Sequence, residues 1–317
     1  LGSFQHLIRT LESQGLLDRA IEFLPSDAEF SDRRSRGLGL TRPELSILLS
    51  YDKIVIFNQL LDSDVPEDPY LSRELQRYFP KPLQERYAAD MEGHRLRREI
   101  IATAVTNSMV NRMGSTFVLR MQEDTGEQPA QIAKAYTIAR EILDARQWWS
   151  AIDAADLKVS EPAQIDALMA IWNLLRQYTR WMLNLPGEQL VIASMVERYA
   201  SSLRELRAVL ASVLPAEAKS QYEASIEAWI RKGFEARLAA DFAALPFLAY
   251  GLDIAQIALQ RKLPVADVAA VYFSLSDALH TKWLMDQVEL LPVEGRWHAQ
   301  ARGALRDELQ QQQSTLV

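Results

Sequence analysis

The stretch at residues 92–121, EGHRLRREIIATAVTNSMVNRMGSTFVLRM, decides the fold class. On a helical wheel its apolar residues point in every direction from Ile100 onward, so no wide polar face remains. A helix that is apolar all round is normally buried on all sides. At about 1.5 Å per residue it spans roughly 45 Å, enough to cross a domain. The stretch therefore predicts a long, buried central helix in an all-α protein, a multi-helix bundle.

Two amides interrupt this apolar stretch. Asn107 and Asn111 are four residues apart and share one face of the predicted helix, and Arg112 follows directly. A buried amide that finds no hydrogen-bond partner costs about 1–3 kcal/mol. The two asparagines therefore indicate either a polar clamp that fixes the register of neighbouring helices or a site for a ligand or partner.

The start of the same stretch is basic. His94 precedes three arginines, which are Arg95, Arg97 and Arg98. Such a cluster binds an anion or an acidic protein surface. The alternative is a solvated helix end whose arginines pair with nearby acids such as Glu99.

A second polar group lies upstream, in Thr41-Arg42-Pro43-Glu44. Thr41 has the side chain of an N-cap residue, and Glu44 stands three positions later, which is the spacing of a capping box. Proline is tolerated in the first helical turn. The group therefore predicts the start of a helix, whose apolar residues continue to Leu60.

Composition limits the possible partners. The chain has 317 residues, of which 48% are hydrophobic and 24% charged, so it can bury a core. Its net charge of -7 argues against a nucleic-acid partner, which needs a basic surface. Without an apolar run of 18 residues we expect no membrane partner. We expect a cytoplasmic protein with sequence upstream of Leu1. We divide the chain into helical halves, residues 1–157 and 158–317, of one continuous domain in a larger protein.

Two stretches of the chain resemble each other. The stretch from Pro129 to Tyr136 matches the stretch from Pro264 to Tyr272 with one residue inserted, and Leu143 corresponds to Leu279. The spacing favours an internal duplication of a helix–turn–helix unit. Chance similarity between two amphipathic helices is the alternative.

Motifs for catalysis and cofactor binding are missing from the sequence. Cysteine is absent, which excludes disulfides, thiolate nucleophiles and cysteine-based metal sites. The four histidines form no H-E-x-x-H or E-x-x-H pattern, and no glycine-rich phosphate loop follows a strand. We therefore predict no catalytic, cofactor-binding or metal-binding residue in this chain.

Four stretches are characteristic of one protein family: GLTRPEL at 39–45, YFPKPL at 78–83, EGHRLRREIIAT at 92–103 and NRMG at 111–114. They give the sequence a resemblance to the C-terminal region of the large NAD-specific glutamate dehydrogenases of bacteria. The resemblance covers nearly the whole chain, is weaker after about Ala154, and returns at residues 271–273. Asp52 departs from it, since we expect alanine there.

This resemblance implies a parent enzyme that converts L-glutamate, NAD and water to 2-oxoglutarate, ammonium and NADH. In that family the catalytic residues and the NAD site lie upstream, so the chain itself is expected to bind no cofactor. Its implied partners are the upstream catalytic domain and other copies in a homo-oligomer. The implied role is support of the catalytic domain, of assembly or of allosteric control. The alternatives are a free-standing helical adaptor for a protein or RNA and, third, an independent helical enzyme.

We expect Arg42, Arg97 and Arg98 to dock the catalytic domain or a neighbouring subunit. An arginine fork suits bidentate pairing with a carboxylate across an interface. Pairing of these arginines within the helical domain is the alternative, and the sequence leaves it open.

Overall fold

The computed structural model of the chain describes residues 1–185, 187, 189–292 and 296–317. Across these ranges the regular structure consists of α-helices and two 3₁₀ turns, with no strand. The predicted all-α class is therefore confirmed. The chain divides into two compact units, unit 1 (Leu1–Tyr136) and unit 2 (Thr137–Val317).

The helices that begin in unit 1 are α1 (Gly2–Ser13), α2 (Asp27–Ser35), α3 (Arg42–Leu61), α4 (Ser72–Tyr78), α5 (Lys81–Gln84), α6 (Ala88–Glu92), α7 (Arg97–Met113), α8 (Phe117–Thr125) and α9 (Pro129–Ile142), with 3₁₀ turns at Val65–Glu67 and Pro69–Leu71. Those of unit 2 are α10 (Ala145–Ala154), α11 (Glu161–Leu183), α12 (Ile192–Val213), α13 (Ala216–Arg231), α14 (Ala236–Leu248), α15 (Gly251–Arg261), α16 (Val265–Ala278), α17 (Thr281–Leu290) and α18 (Arg296–Leu316). The boundary between the units falls inside α9.

Helix α3 packs along α7 in unit 1. Its buried line recurs every four residues, through Glu44, Leu48, Asp52, Ile56 and Leu60, as one face of an α-helix should. Arg98, at the start of α7, donates from Nη2 to the carbonyl oxygen of Leu61 at the end of α3, at 2.6 Å. The two helices therefore run antiparallel.

The predicted single helix over residues 92–121 is wrong. The chain is broken twice, between α6 and α7 and between α7 and α8. Gly114 ends α7 with φ 87° and ψ 162°, a conformation that glycine adopts and side-chain-bearing residues avoid. The apolar residues of α7 are buried as predicted, but Asn111 is exposed.

Helix α12 contacts α14, α15 and α16 in unit 2, and α11 contacts α14. Tyr178 of α11 is buried and donates its hydroxyl to the carbonyl oxygen of Leu248, at the end of α14, at 2.6 Å. Gly251 begins α15 beside it. A Cβ atom at Gly251 would lie 2.5 Å from the Tyr178 hydroxyl and 2.7 Å from Cδ2 of Leu203. Because glycine has no Cβ atom, Gly251 lets α15 approach α11 and α12 this closely.

The bounds of α9 and α10 recur in α16 and α17, each displaced by 136 positions: 129 to 265, 142 to 278, 145 to 281 and 154 to 290. The residues before α10 and α17, Asp144 and His280, both have φ 52°. Tyr136 and Tyr272 occupy equivalent places and both are buried. These bounds support the predicted duplication, which stays a hypothesis.

The predicted division into halves differs from the observed units. The expected boundary, between residues 157 and 158, falls inside unit 2, in the turn that follows α10. The domain assignment stays a prediction. Among the described residues, no single helix has the length and apolar character to cross a membrane; α14 and α15 meet both criteria only as a pair bent by 69°.

Candidate functional site

The first polar group, at Thr41, caps the start of α3. The backbone N–H of Thr41 donates to Oε2 of Glu44 at 2.7 Å, and the backbone N–H of Glu44 donates to Oγ1 of Thr41 at 3.5 Å. The predicted capping box is therefore present. Arg42 lies exposed in the first turn, and its side chain makes no hydrogen bond or ion pair within the described residues.

Glu44 also has a partner that its spacing did not predict. Arg33, on α2, donates from both Nη atoms to the two carboxylate oxygens of Glu44, at 2.7 and 2.8 Å. This guanidinium, with the Thr41 backbone N–H, lowers the pKa of the Glu44 carboxyl to about 2 although Glu44 is buried. The bidentate pair fixes α2 against the start of α3.

The second polar group, at the start of α7, is tied to the acidic link at residues 62–68. Arg97 donates from Nη1 to the carbonyl oxygen of Pro66 at 3.2 Å and from Nη2 to Oγ of Ser72 at 3.1 Å. Both Arg97 and Arg98 form ion pairs with Glu67. The arginines therefore pair inside unit 1, with Glu67 rather than with the predicted acids near them in sequence.

Lys134 was not among the predicted residues, yet it binds the same link. Its Nζ donates to Oδ2 of Asp64 at 2.7 Å, and its side chain is almost fully buried. Lys134 lies on α9, 70 residues after Asp64. The sequence of the link gave no signal for this long-range partner.

His94 has a local structural role. Its Nδ1 accepts the backbone N–H of Leu96 at 3.1 Å, in the turn that leads into α7. Its ring lies 5.8 Å from the ring of Phe79, between centroids. Arg95 beside it is exposed.

The asparagines of α7 do not form the predicted buried clamp. Asn107 is half-buried and Asn111 is exposed, and within the described residues neither side chain makes a hydrogen bond. Arg112 is half-buried and has a partner. The expectation of a buried, bonded Asn111 is therefore wrong, because α7 is rotated so that Met109, Val110 and Met113 face the core instead.

The predicted residues form no single site. Helix α3 has 20 residues, so its ends lie roughly 30 Å apart. Thr41, Arg42 and Glu44 are at its first turn, whereas Arg97 and Arg98 are beside its last turn. Each group is an internal clamp at one end of α3, with Arg42 as the exposed exception.

Asp52 is a buried acid of unit 1 that was not among the predicted residues. It is 5% exposed, and its Oδ2 has no hydrogen-bond partner among the described residues. Burial alone raises the pKa of its carboxyl to about 8. By the antiparallel register it lies about level with Thr106 of α7, whose hydroxyl is likewise buried without a partner. The signal was the departure from the expected alanine.

Unit 2 has its own polar contacts around α11. Trp181 donates from Nε1 to Oδ1 of Asp253 at 2.8 Å, and Arg180 donates from Nε to Oδ2 of Asp307 at 2.7 Å. Desolvation raises the pKa of Asp253 to about 6 despite the Trp181 bond. The first pair joins α11 to α15, and the second joins α11 to α18. Among the described residues, no three histidine or carboxylate side chains are grouped closely enough to hold a metal ion.

Comparison with known proteins shows which proteins this chain is similar to. A family model described as "Glutamate dehydrogenase, C-terminal" matches residues 37–317. The chain is 37% identical over 317 residues to the NAD-specific glutamate dehydrogenase of Pseudomonas aeruginosa and, equally, to that of Halomonas elongata. To the Mycobacterium tuberculosis protein of the same description it is 31% identical over 304 residues, 95% of this chain. These matches cover 20%, 20% and 18% of the relatives, so the chain spans about one fifth of their length.

Proposed function

Because the chain belongs to the family described as glutamate dehydrogenase, C-terminal, we propose that it is the non-catalytic helical region of a much longer NAD-specific glutamate dehydrogenase. In that parent the reaction is the conversion of L-glutamate, NAD and water to 2-oxoglutarate, ammonium and NADH. The upstream part of the parent carries the catalytic domain, and this region supports that domain, its assembly or its control. We retain the cytoplasm as the expected location.

One observation carries this proposal, which is the match of residues 37–317 to a C-terminal family model while relatives are about five times longer. The helical architecture agrees with it. A dinucleotide-binding domain is built on a parallel sheet, and the described residues contain no strand. This supports our proposal that NAD binds elsewhere in the parent.

We predict that the purified 317-residue chain neither produces NADH from glutamate and NAD nor binds NAD in calorimetry. The longer protein that carries this region is the positive control in both assays. NADH production by the isolated chain, or a micromolar affinity for NAD, contradicts the proposal.

Arg42 is the predicted docking residue that the structure leaves exposed. We predict that Arg42→Glu lowers the activity or weakens the assembly of the longer protein. An acidic side chain in the first turn of a helix interacts favourably with the helix dipole, so the substitution should not destabilise α3. Exposed Lys219 offers a control with the same change of charge, Lys219→Glu. If Arg42→Glu and Lys219→Glu have the same effect on activity and on assembly, the docking surface lies elsewhere.

A further inference from the structure

The hairpin of α16 and α17 has one buried face and one exposed apolar face. Tyr272, Phe273 and Met285 are buried on the inner face. The outer face exposes Leu279, at 45%, and Trp283, at 59%. We call this outer face the hairpin surface. Its other exposed apolar residues are Val271, Leu284, Leu290 and Leu291. Exposed apolar residues concentrated on one hairpin are typical of an interaction site.

The equivalent helices α9 and α10 show that this face can be covered. At the constant displacement of 136 positions, Leu143 corresponds to Leu279 and is 3% exposed. Trp148 corresponds to Leu284 and is also 3% exposed. Gln147, which corresponds to Trp283, is exposed. The first occurrence of the unit therefore buries the positions of Leu279 and Leu284, which the second occurrence leaves exposed.

The charges of the hairpin specify what should cover it. Between residues 265 and 291 the sequence has four acidic residues, at positions 267, 277, 286 and 289, and one basic residue, at 282. Glu289 is already paired with Arg302 and Arg306 of α18. Asp277 and Asp286 are exposed and form no ion pair within the described residues. The occupant should therefore be apolar and basic.

Unit 1 carries a surface of that chemistry at residues 77–87, RYFPKPLQERY, which we call the elbow surface. It exposes Tyr78, Leu83 and Tyr87. Its charged residues are three basic side chains, at positions 77, 81 and 86, and one acid, at 85. Arg77 is paired with Glu74, so Lys81 and Arg86 supply the basic charge. The guanidinium of Arg86 lies 5.3 Å from the centroid of the Tyr87 ring. Two prolines stiffen the segment, which lowers the entropy lost on binding.

We propose that the hairpin surface of one copy of this chain binds the elbow surface of a second copy. The inference rests on the proposed role in assembly. Because the two surfaces differ, the contact is heterologous, and repeated contacts build a ring or a filament rather than a closed two-fold pair. Exposed apolar side chains supply the centre of the interface, and opposite charges orient it.

Two variants test the contact, each blocking one surface. Trp283→Glu blocks the hairpin surface, and Leu83→Glu with Arg86→Glu blocks the elbow surface. Sedimentation equilibrium should show concentration-dependent association of the unmodified chain and at least about thirtyfold weaker association of either variant. Leu157 is 99% exposed and belongs to neither surface, so Leu157→Glu is the control that should associate normally.

The decisive experiment measures association in a mixture of the two variants. Each keeps one intact surface, so the mixture should form a one-to-one dimer with the affinity of the unmodified chain and stop there. A contact between two hairpins or between two elbows leaves one variant able to associate alone, which overturns the proposal. A strictly monomeric unmodified chain, or a mixture that stays monomeric, overturns it as well.

Two controls keep the result interpretable. Far-UV circular dichroism checks that each variant is folded, and Trp283→Ser replaces Trp283→Glu if the latter is not. The assays for NADH production and NAD binding test the proposed function separately. A failed association therefore overturns the contact without bearing on whether the chain is non-catalytic.

Discussion

Burial of Asp52 in the core of unit 1 lowers the free energy of unfolding by an amount that depends on pH. The pKa of its carboxyl is about 8 in the folded chain against an ordinary value of 3.8. Between these values the folded chain holds a proton that the unfolded chain releases. The free energy of unfolding therefore falls as pH rises from about 4 to about 8, and this contribution levels off above that.

We predict that Asp52→Ala stabilises the chain by about 1–3 kcal/mol at pH 8, because it removes a buried acid that lacks a partner. The gain should shrink toward pH 4. Urea unfolding measured across this range checks both statements. The exposed Asp90 provides a control, since Asp90→Ala should stay within about 0.5 kcal/mol. A gain that is the same at pH 4 and pH 8 means that the Asp52 carboxyl has contact with water.

The residues of the capping box show what local sequence can predict. Thr41 and Glu44 are three positions apart, and their mutual bonds follow from helix geometry alone. Arg33 reaches Glu44 across 11 positions, through the turn at Gly37, and Lys134 reaches Asp64 across 70. Such partners depend on tertiary packing, which spacing does not encode.

At the scale of elements, the start of α7 holds the acidic link to the end of α3. Arg98 satisfies the carbonyl oxygen of Leu61, in the last turn of α3, which lacks an intrahelical partner. Arg97 binds Pro66 and Ser72 on the far side of the link. These arginines act between helices within unit 1.

We predict that Arg97→Ala combined with Arg98→Ala lowers the free energy of unfolding by about 1–3 kcal/mol, because charge-assisted bonds to the link are lost. Urea unfolding followed by far-UV circular dichroism measures the change. Neighbouring Arg95 is exposed, so Arg95→Ala should stay within about 0.5 kcal/mol. If the double variant is as stable as the unmodified chain, both arginines are available for docking.

The close approach of α15 to α11 and α12 depends on Gly251. We predict that Gly251→Ala destabilises the chain by about 1–3 kcal/mol, because the new Cβ overlaps Tyr178 and Leu203. Gly303 on α18 is the matched control. A Cβ there meets the Arg180 side chain at an ordinary 3.5 Å, so Gly303→Ala should raise the melting temperature through helix propensity. Equal melting temperatures for Gly251→Ala and the unmodified chain mean that the three helices can separate.

The break at Gly114 shows why element boundaries were harder to predict than element type. The apolar residues of α7 and α8 continue around the wheel, and they predicted one helix buried on all sides, whereas the structure has two helices, each with a buried face. Glycine is compatible both with a helix interior and with the extended, positive-φ conformation seen here. The apolar pattern alone could not decide between them.

For the whole molecule, composition and the helical apolar period together predicted the class. Scarce glycine, abundant helix formers and a helical apolar period all point to an all-α chain. The boundary between the two units was not predictable from composition, because it falls inside the buried helix α9 and carries no proline or glycine signal. The candidate site was predicted as two docking groups, and the geometry assigns most of their residues to internal clamps.

The division into two units has a spectroscopic consequence. All seven tryptophans lie between positions 148 and 297, within unit 2, and unit 1 has none. Intrinsic tryptophan emission therefore follows unit 2 alone, whereas the amide ellipticity sums over both. Recording the two signals during one titration with denaturant separates the units without any label. A gap between the two midpoints means that unit 1, which is silent in tryptophan emission, unfolds at a different denaturant concentration from unit 2.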